Sequence, residues 1–186
     1  MLIISGLGNP GDNHCNDRHN LGFMAIDCIH SFYSFSSWKK KFCAEISDGS
    51  LDGIKTILTK PQTFMNLSGK SIIETINFYK PLLKNCIIIH DEMDLPVGKI
   101  RIKTGGGDAG HNGLKSISEK CGRDYKRLRI GIGRPQNAEC VSKYVLSSFS
   151  AEEKNILEPV LKNIAKYVHL LAKNEDNMFL NRILQN

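Results

Sequence analysis

Cys86-Ile87-Ile88-Ile89-His90-Asp91-Glu92 decides the architecture of this 186-residue chain. Its first four residues form a near-continuous β-branched run with no polar alternation, the mark of a strand covered on both faces. Such a strand belongs inside a sheet that carries helices above and below. An imidazole and two carboxylates then fall at the strand's carboxyl end, where open α/β sheets bind ligands.

The segments on either side agree. Leu2 to Ser5 reads as a second short buried strand, followed by a polar, turn-rich stretch from Gly6 to Asn20. Asn20 is placed to cap a helix from Leu21 to about Phe32. A hairpin is expected from Phe42–Ile46 and Ile54–Thr59, with its turn at Asp48 to Gly53. Ser68 opens a helix that Pro81 stops. Lys99 to Lys103 and Lys126 to Gly133 alternate like strands, the first with one basic face. Between them lies a glycine-rich loop, Gly105 to Gly113, and a helix at Leu114 to Lys120. Ser150-Ala151-Glu152-Glu153 is a capping box opening an amphipathic C-terminal helix, which Pro159 should bend or restart. Strands and helices interleave with no repeat or linker, so one α/β domain over residues 1–186 is expected.

Composition narrows the class. The chain is 41% hydrophobic and 24% charged, which fits an ordinary globular protein and excludes a disordered or collagen-like one. No run approaches the roughly 18 apolar residues of a membrane span. The first residues lack the basic flank and length of an export signal. Six cysteines (15, 28, 43, 86, 121 and 140) stand at wide, irregular intervals, unlike a zinc knuckle or a disulfide framework. A reduced, cytoplasmic protein is the expectation. Charge is uneven: Pro96 to Tyr144 holds eleven basic and four acidic residues, +7, within a chain of net +6. That sector suits a phosphate-bearing partner, although a solvated lysine and arginine face would look the same.

Five segments carry candidate chemistry. Gly6-Leu7-Gly8-Asn9-Pro10-Gly11 matches the dinucleotide fingerprint in form. Pro10 removes an amide donor, and no helical pattern follows, so that reading fails. Arg18-His19-Asn20 places a histidine in a polar segment, where a pKa near 6.5 makes it a natural general base. In Lys60-Pro61-Gln62-Thr63-Phe64-Met65-Asn66-Leu67-Ser68-Gly69, Asn66 or Ser68 is either a helix cap or, for Asn66, an amide facing a cleft. Asp91 at its strand's end can accept the N–H of a facing histidine. A metal cluster of His90, Asp91, Glu92 and Asp94 fits poorly, because neighbours on a strand point apart. The glycine loop allows close approach or mobility, and ends at His111-Asn112.

Taken in order, GLGNPG, RHNLG, KPQTFMNLSG, HDEMDLP, GGGDAGHNGLKS and RLRIGIGRP resemble the bacterial-type peptidyl-tRNA hydrolase family over about residues 2–150. The resemblance implies a monomeric α/β domain with one mixed, twisted sheet flanked by helices. It implies hydrolysis, without metal or cofactor, of the ester joining a peptide to the 3′ end of tRNA, which recycles tRNA stranded by aborted translation. His19 then matches the catalytic base and Asp91 the carboxylate that orients it. Asn9, Asn66 and Asn112 match substrate-holding amides, and His14 and Phe64 fall at substrate-contacting positions. Lys103 and Arg129 match a pair that clamps a phosphate of the acceptor stem. This chain departs from the family at His14 and Asp17, where tyrosine and threonine are usual. A non-catalytic RNA-binding relative or a dinucleotide oxidoreductase is the alternative.

Overall fold

In the computed structural model, which describes residues 1–135 and 141–184, the isoleucine run forms strand β5 (Cys86–Glu92), buried along its whole length. It lies between β1 (Leu2–Gly6) and β7 (Lys126–Gly131), parallel to both. Beyond β1 come β4 (Ile54–Pro61), parallel, then β3 (Ala44–Leu51) and the edge strand β2 (Lys39–Lys41), each antiparallel to its neighbour. At the other edge β6 (Ile100–Thr104) runs antiparallel to β7. The mixed sheet therefore has seven strands in the order β2-β3-β4-β1-β5-β7-β6.

Alternate residues of β1 and β5 serve opposite faces, as a strand's period of two requires. Leu2, Ile4, Ile87 and Ile89 join one core with α1 (Leu21–Phe32) and α5 (Ala151–Ala172). Ile3, Cys86 and Ile88 join the other with α2 (Ser68–Tyr79) and α3 (Asn112–Cys121). Both faces are covered, which is why the run tolerates no polar alternation. Two further helices, α4 (Val141–Val145) and α6 (Asp176–Leu184), complete the described elements.

Several details differ from the sequence expectation. The hairpin turn is only Asp52-Gly53, both at positive φ (47° and 81°), the backbone sign a tight two-residue turn requires. Ser47-Asp48-Gly49-Ser50 instead belongs to the β3 ladder. There Gly49 lies under the Phe35 ring, where a Cβ would come within 2.3 Å. Strand β2 is three exposed lysines, charged edge residues that discourage pairing with another chain. Pro159 does not restart α5, which continues from Ala151 to Ala172. Pro159 and Asn155 are both exposed, so water can take the carbonyl that the missing N–H leaves free. Helix α3 begins two residues earlier than expected because His111 caps it, accepting from the Gly113 and Leu114 amides. The Ser150–Glu153 capping box is present in full. Cys140 lies outside the described residues, and the other five cysteines are free thiols. Burial pushes the Cys86 and Cys121 thiols up to about 12 and about 11, which makes them inert fillers.

Candidate active site

The glycines of the first motif serve packing, not phosphate binding. A Cβ on Gly6 would sit 2.2 Å from the Gly22 carbonyl oxygen, and one on Gly22 would sit 2.4 Å from the Ile89 carbonyl oxygen. Strand β1 and the start of α1 therefore meet backbone to backbone beside β5. Residues 7–20 are pinned at both ends and carry two short 3-10 turns, Asp12–His14 and Arg18–Asn20, in place of a phosphate-binding helix.

Asn20 does not cap α1 with its side chain. Its Oδ1 accepts from the Asn9 backbone N–H and its Nδ2 donates to the Asn9 carbonyl, both at 2.9 Å. Asn9 Oδ1 in turn accepts from the Met65 N–H at 2.8 Å. Every polar group of Asn9 but one is then engaged, and the Nδ2 donor alone has no partner among the described residues.

His19 Nδ1 lies 2.9 Å from each carboxylate oxygen of Asp91, across 72 positions of sequence. A second imidazole shares that carboxylate: His111 Nε2 is 3.0 Å from Asp91 Oδ1. Because His111 Nδ1 accepts two backbone N–H groups, its proton belongs on Nε2, which donates to Asp91. Burial alone would raise the Asp91 pKa, but the charge and hydrogen bonds of His19 and His111 outweigh it. The carboxyl is held well below the usual carboxylate range. Burial pushes the adjacent His90 down to about 3, with His111 adding to the effect, so His90 stays neutral. His90 Nδ1 donates to the Asp91 carbonyl at 2.7 Å and does not reach the carboxylate.

His19, Asp91 and His111 also form the one group, among the described residues, with metal-capable atoms close together, all within 4.8 Å. Those ring nitrogens already hydrogen-bond the carboxylate, so an ion there would have to displace both protons. His90, Glu92 and Asp94 do not join the group.

A cleft of about 140 Å³ is lined by His19, Asp91, His111 and Asn112, and by Val141 and Val145 of α4. Asn9 does not line this cleft; with Asn20 it borders a separate hollow of about 240 Å³. Asn112 opens α3 and is exposed, as is Asn66, which lies in the 3-10 turn Met65–Leu67 and whose side chain has no hydrogen-bond partner among the described residues. Neither Asn66 nor Ser68 caps α2; Ser68 Oγ donates to the Met65 carbonyl instead. Phe64 stands 61% exposed beside them. His14 and Asp17, the two unusual residues of the loop, pair with each other at 2.7 Å. The buried Asp17 carboxylate thereby gains a partner.

The glycine loop is clamped, contrary to the mobility its composition allows. Arg127 is buried and donates to the carbonyl oxygens of Gly106 and Gly107. Asp108 accepts from Ser118 and Arg123. Register places Arg101 opposite Arg129 and Lys103 opposite Arg127, so four cations share one face of the β6–β7 pair. Lys103 and Arg101 are exposed and have no ion pair among the described residues, whereas Arg129 donates from Nε to Glu92 at 3.0 Å. Lys126 is not part of this face; it is buried against Asp176.

Sequence reasoning missed three partners: His111 on Asp91, Asn20 on Asn9, and Glu92 on Arg129. His111 had a local signal as a cap, but each contact depends on how distant segments meet.

The family model described as peptidyl-tRNA hydrolase matches residues 3–186. A peptidyl-tRNA hydrolase from Bartonella henselae is 55% identical over 185 residues, covering 100% of this chain and 96% of that protein. One from Rhizobium leguminosarum bv. trifolii is 52% identical over 183 residues, covering 98% of this chain and 75% of that protein. The crystal structure of peptidyl-tRNA hydrolase from Acinetobacter baumannii superposes with a TM-score of 0.93 at 36% identity, covering 98% of this chain and 94% of that one. With the motifs in register along the whole sheet and the match spanning nearly every residue, the chain belongs to the peptidyl-tRNA hydrolase family.

Proposed function

We propose that this chain hydrolyses the ester between a peptide and the 3′-terminal ribose of tRNA, with His19 as general base and Asp91 as its orienting acid. The observation that carries the reading is the His19 Nδ1 contact to both Asp91 oxygens at 2.9 Å. It leaves Nε2, which has no hydrogen-bond partner among the described residues, as the ring atom open to a water molecule in the cleft. An aminoacyl ester is already activated, so an oriented water and one base suffice without a covalent intermediate.

In the first step Nε2 takes a proton from water as the oxygen bonds to the ester carbonyl carbon. Asp91 stabilises the imidazolium that forms, as the acid of a triad does. His111 donates to the same carboxylate and restrains it. The carbonyl oxygen gains negative charge, and the free Nδ2 of Asn9, or Asn66, donates to it. The bond to the ribose oxygen then breaks, and the imidazolium returns its proton to that oxygen. Peptide acid and tRNA leave.

Phosphate contacts position an RNA without reading its sequence. Lys103 and Arg129 are the residues for that role, supported by the unpaired Lys103 and by the row of cations on β6 and β7. Asn112, Phe64 and His14 complete the substrate's surroundings. One chain supplies all of these groups, so residues 1–186 act as one domain and as a monomer, in the cytoplasm where peptidyl-tRNA arises.

The test is release of N-acetyl-amino acid from N-acetyl-aminoacyl-tRNA in the presence of EDTA. Full turnover with the chelator is expected; no release, or release abolished by EDTA, contradicts the reading.

A further inference from the structure

We infer that Glu92 is a positioning residue that holds Arg129 for an RNA phosphate and fixes that contact relative to the His19–Asp91 pair. The inference rests on the reading of Arg129 as a phosphate ligand.

Glu92 is the last residue of β5, immediately after Asp91, and is 7% exposed. Both carboxylate oxygens are engaged: Oε2 accepts from Arg129 Nε and Oε1 from the Asp94 backbone N–H, each at 3.0 Å. The carboxylate is thus tied to the backbone of its own turn and cannot swing. Arg129 is held at Nε only, and its side chain remains 24% exposed. Its two Nη groups have no partner among the described residues and form the edge of the guanidinium fork that matches a phosphate. An arginine already held in one orientation gives up less rotamer freedom on binding than a free one. Arg101, its cross-strand neighbour, and Lys103 add positive charge and have no ion pair among the described residues. Glu92 also lines the cleft that contains His19 and Asp91. One rigid two-residue step of β5 therefore connects the base's carboxylate to the phosphate ligand's support.

A carboxylate beside a phosphate ligand could act in the opposite sense, as a competitor for Arg129. The two roles differ in sign. Removing a competitor strengthens RNA binding, and removing a support weakens it. The support also predicts that Glu92 matters only while Arg129 is present.

The experiment measures kcat and KM for N-acetyl-aminoacyl-tRNA over a series of salt concentrations, with thermal melting of each variant. Arg129→Ala should raise KM about tenfold, the worth of one charge-assisted hydrogen bond, and reduce the slope of log KM against log salt by about one. Glu92→Ala should raise KM by about threefold to tenfold, with a much smaller effect on kcat. The double variant should be no worse than Arg129→Ala alone. Should Glu92→Ala melt below the assay temperature, Glu92→Gln keeps the side chain's shape and one of its two hydrogen bonds. It should then show a smaller rise that vanishes in the Arg129→Ala background. A lower KM on removing Glu92, or effects that add across the two positions, overturns the inference while leaving Arg129 in place. Arg129→Ala that matches the parent at every salt concentration overturns the reading of Arg129 itself.

Discussion

At the scale of single residues, Asn20 and Asn9 form a unit in which one carboxamide holds the backbone of the other. Asn20→Ala removes both 2.9 Å bonds without touching the His19–Asp91 contact. It should lower kcat by about 10- to 100-fold, because Asn9 Nδ2 then lacks a fixed aim. Steady-state kinetics beside a melting curve checks this, and unchanged kcat in a folded variant refutes the brace. The sequence pointed to Asn20 as a helix cap because residue type and position fit that role. A cap is a local object, whereas the partner eleven positions away depends on how the loop folds back. His19 and Asp91 were identified by family motifs; nothing in their spacing could place them together.

At the scale of elements, helix α5 is joined to the histidine loop through one side chain. Glu153 closes the capping box of α5 and also takes Arg18 at 2.8 Å through both oxygens. Arg18 is buried between the Tyr144 and Phe149 rings. Ser150→Ala forfeits the cap alone and should cost about 1 kcal/mol. Glu153→Ala keeps the bond from its own backbone N–H to Ser150 Oγ but forfeits the return bond from the Ser150 N–H and leaves the buried Arg18 guanidinium without its carboxylate, so its loss in urea unfolding should clearly exceed that of Ser150→Ala. Equal losses would mean that Arg18 finds water instead. The capping box was legible because its four residues are contiguous. Strand β2 was not, since Lys39-Lys40-Lys41 has no apolar face and is a strand only through backbone pairing with Ala44 to Ile46. The hairpin turn was misplaced for a related reason: Asp48 and Gly49 are turn formers that the ladder uses as ordinary strand positions.

At the scale of the whole molecule, buried groups around the site set the acid limit of stability. His90 is held neutral, at about 3 against an unfolded value of 6.5. Its contribution is therefore complete above pH 6.5 and is lost as pH falls toward 3, because the unfolded chain takes up a proton that the folded one refuses. Asp91, depressed below 3.8, adds a loss only below that value. The unfolding free energy of His90→Gln should thus fall less steeply between pH 6 and 4, by about 1.4 kcal/mol per pH unit. Urea midpoints across that range check it, and parallel curves for parent and variant contradict it. The α/β class was legible from the interleaved strands and helices, and the basic sector from counting. The strand order was not, because it depends on which of several similar apolar runs pair. Nor was the division of the basic residues into exposed cations, such as Arg101 and Lys103, and the buried clamp Arg127.

The proposed hydrolysis depends on His19 drawing a proton from water while Asp91 steadies the resulting charge. Single-turnover hydrolysis of N-acetyl-aminoacyl-tRNA by His19→Ala, measured beside its binding of the same tRNA, tests this most directly. The rate constant should fall by about 10²- to 10⁴-fold with binding nearly unchanged. A variant that hydrolyses at the parent's rate, or that loses activity only by losing tRNA, contradicts it.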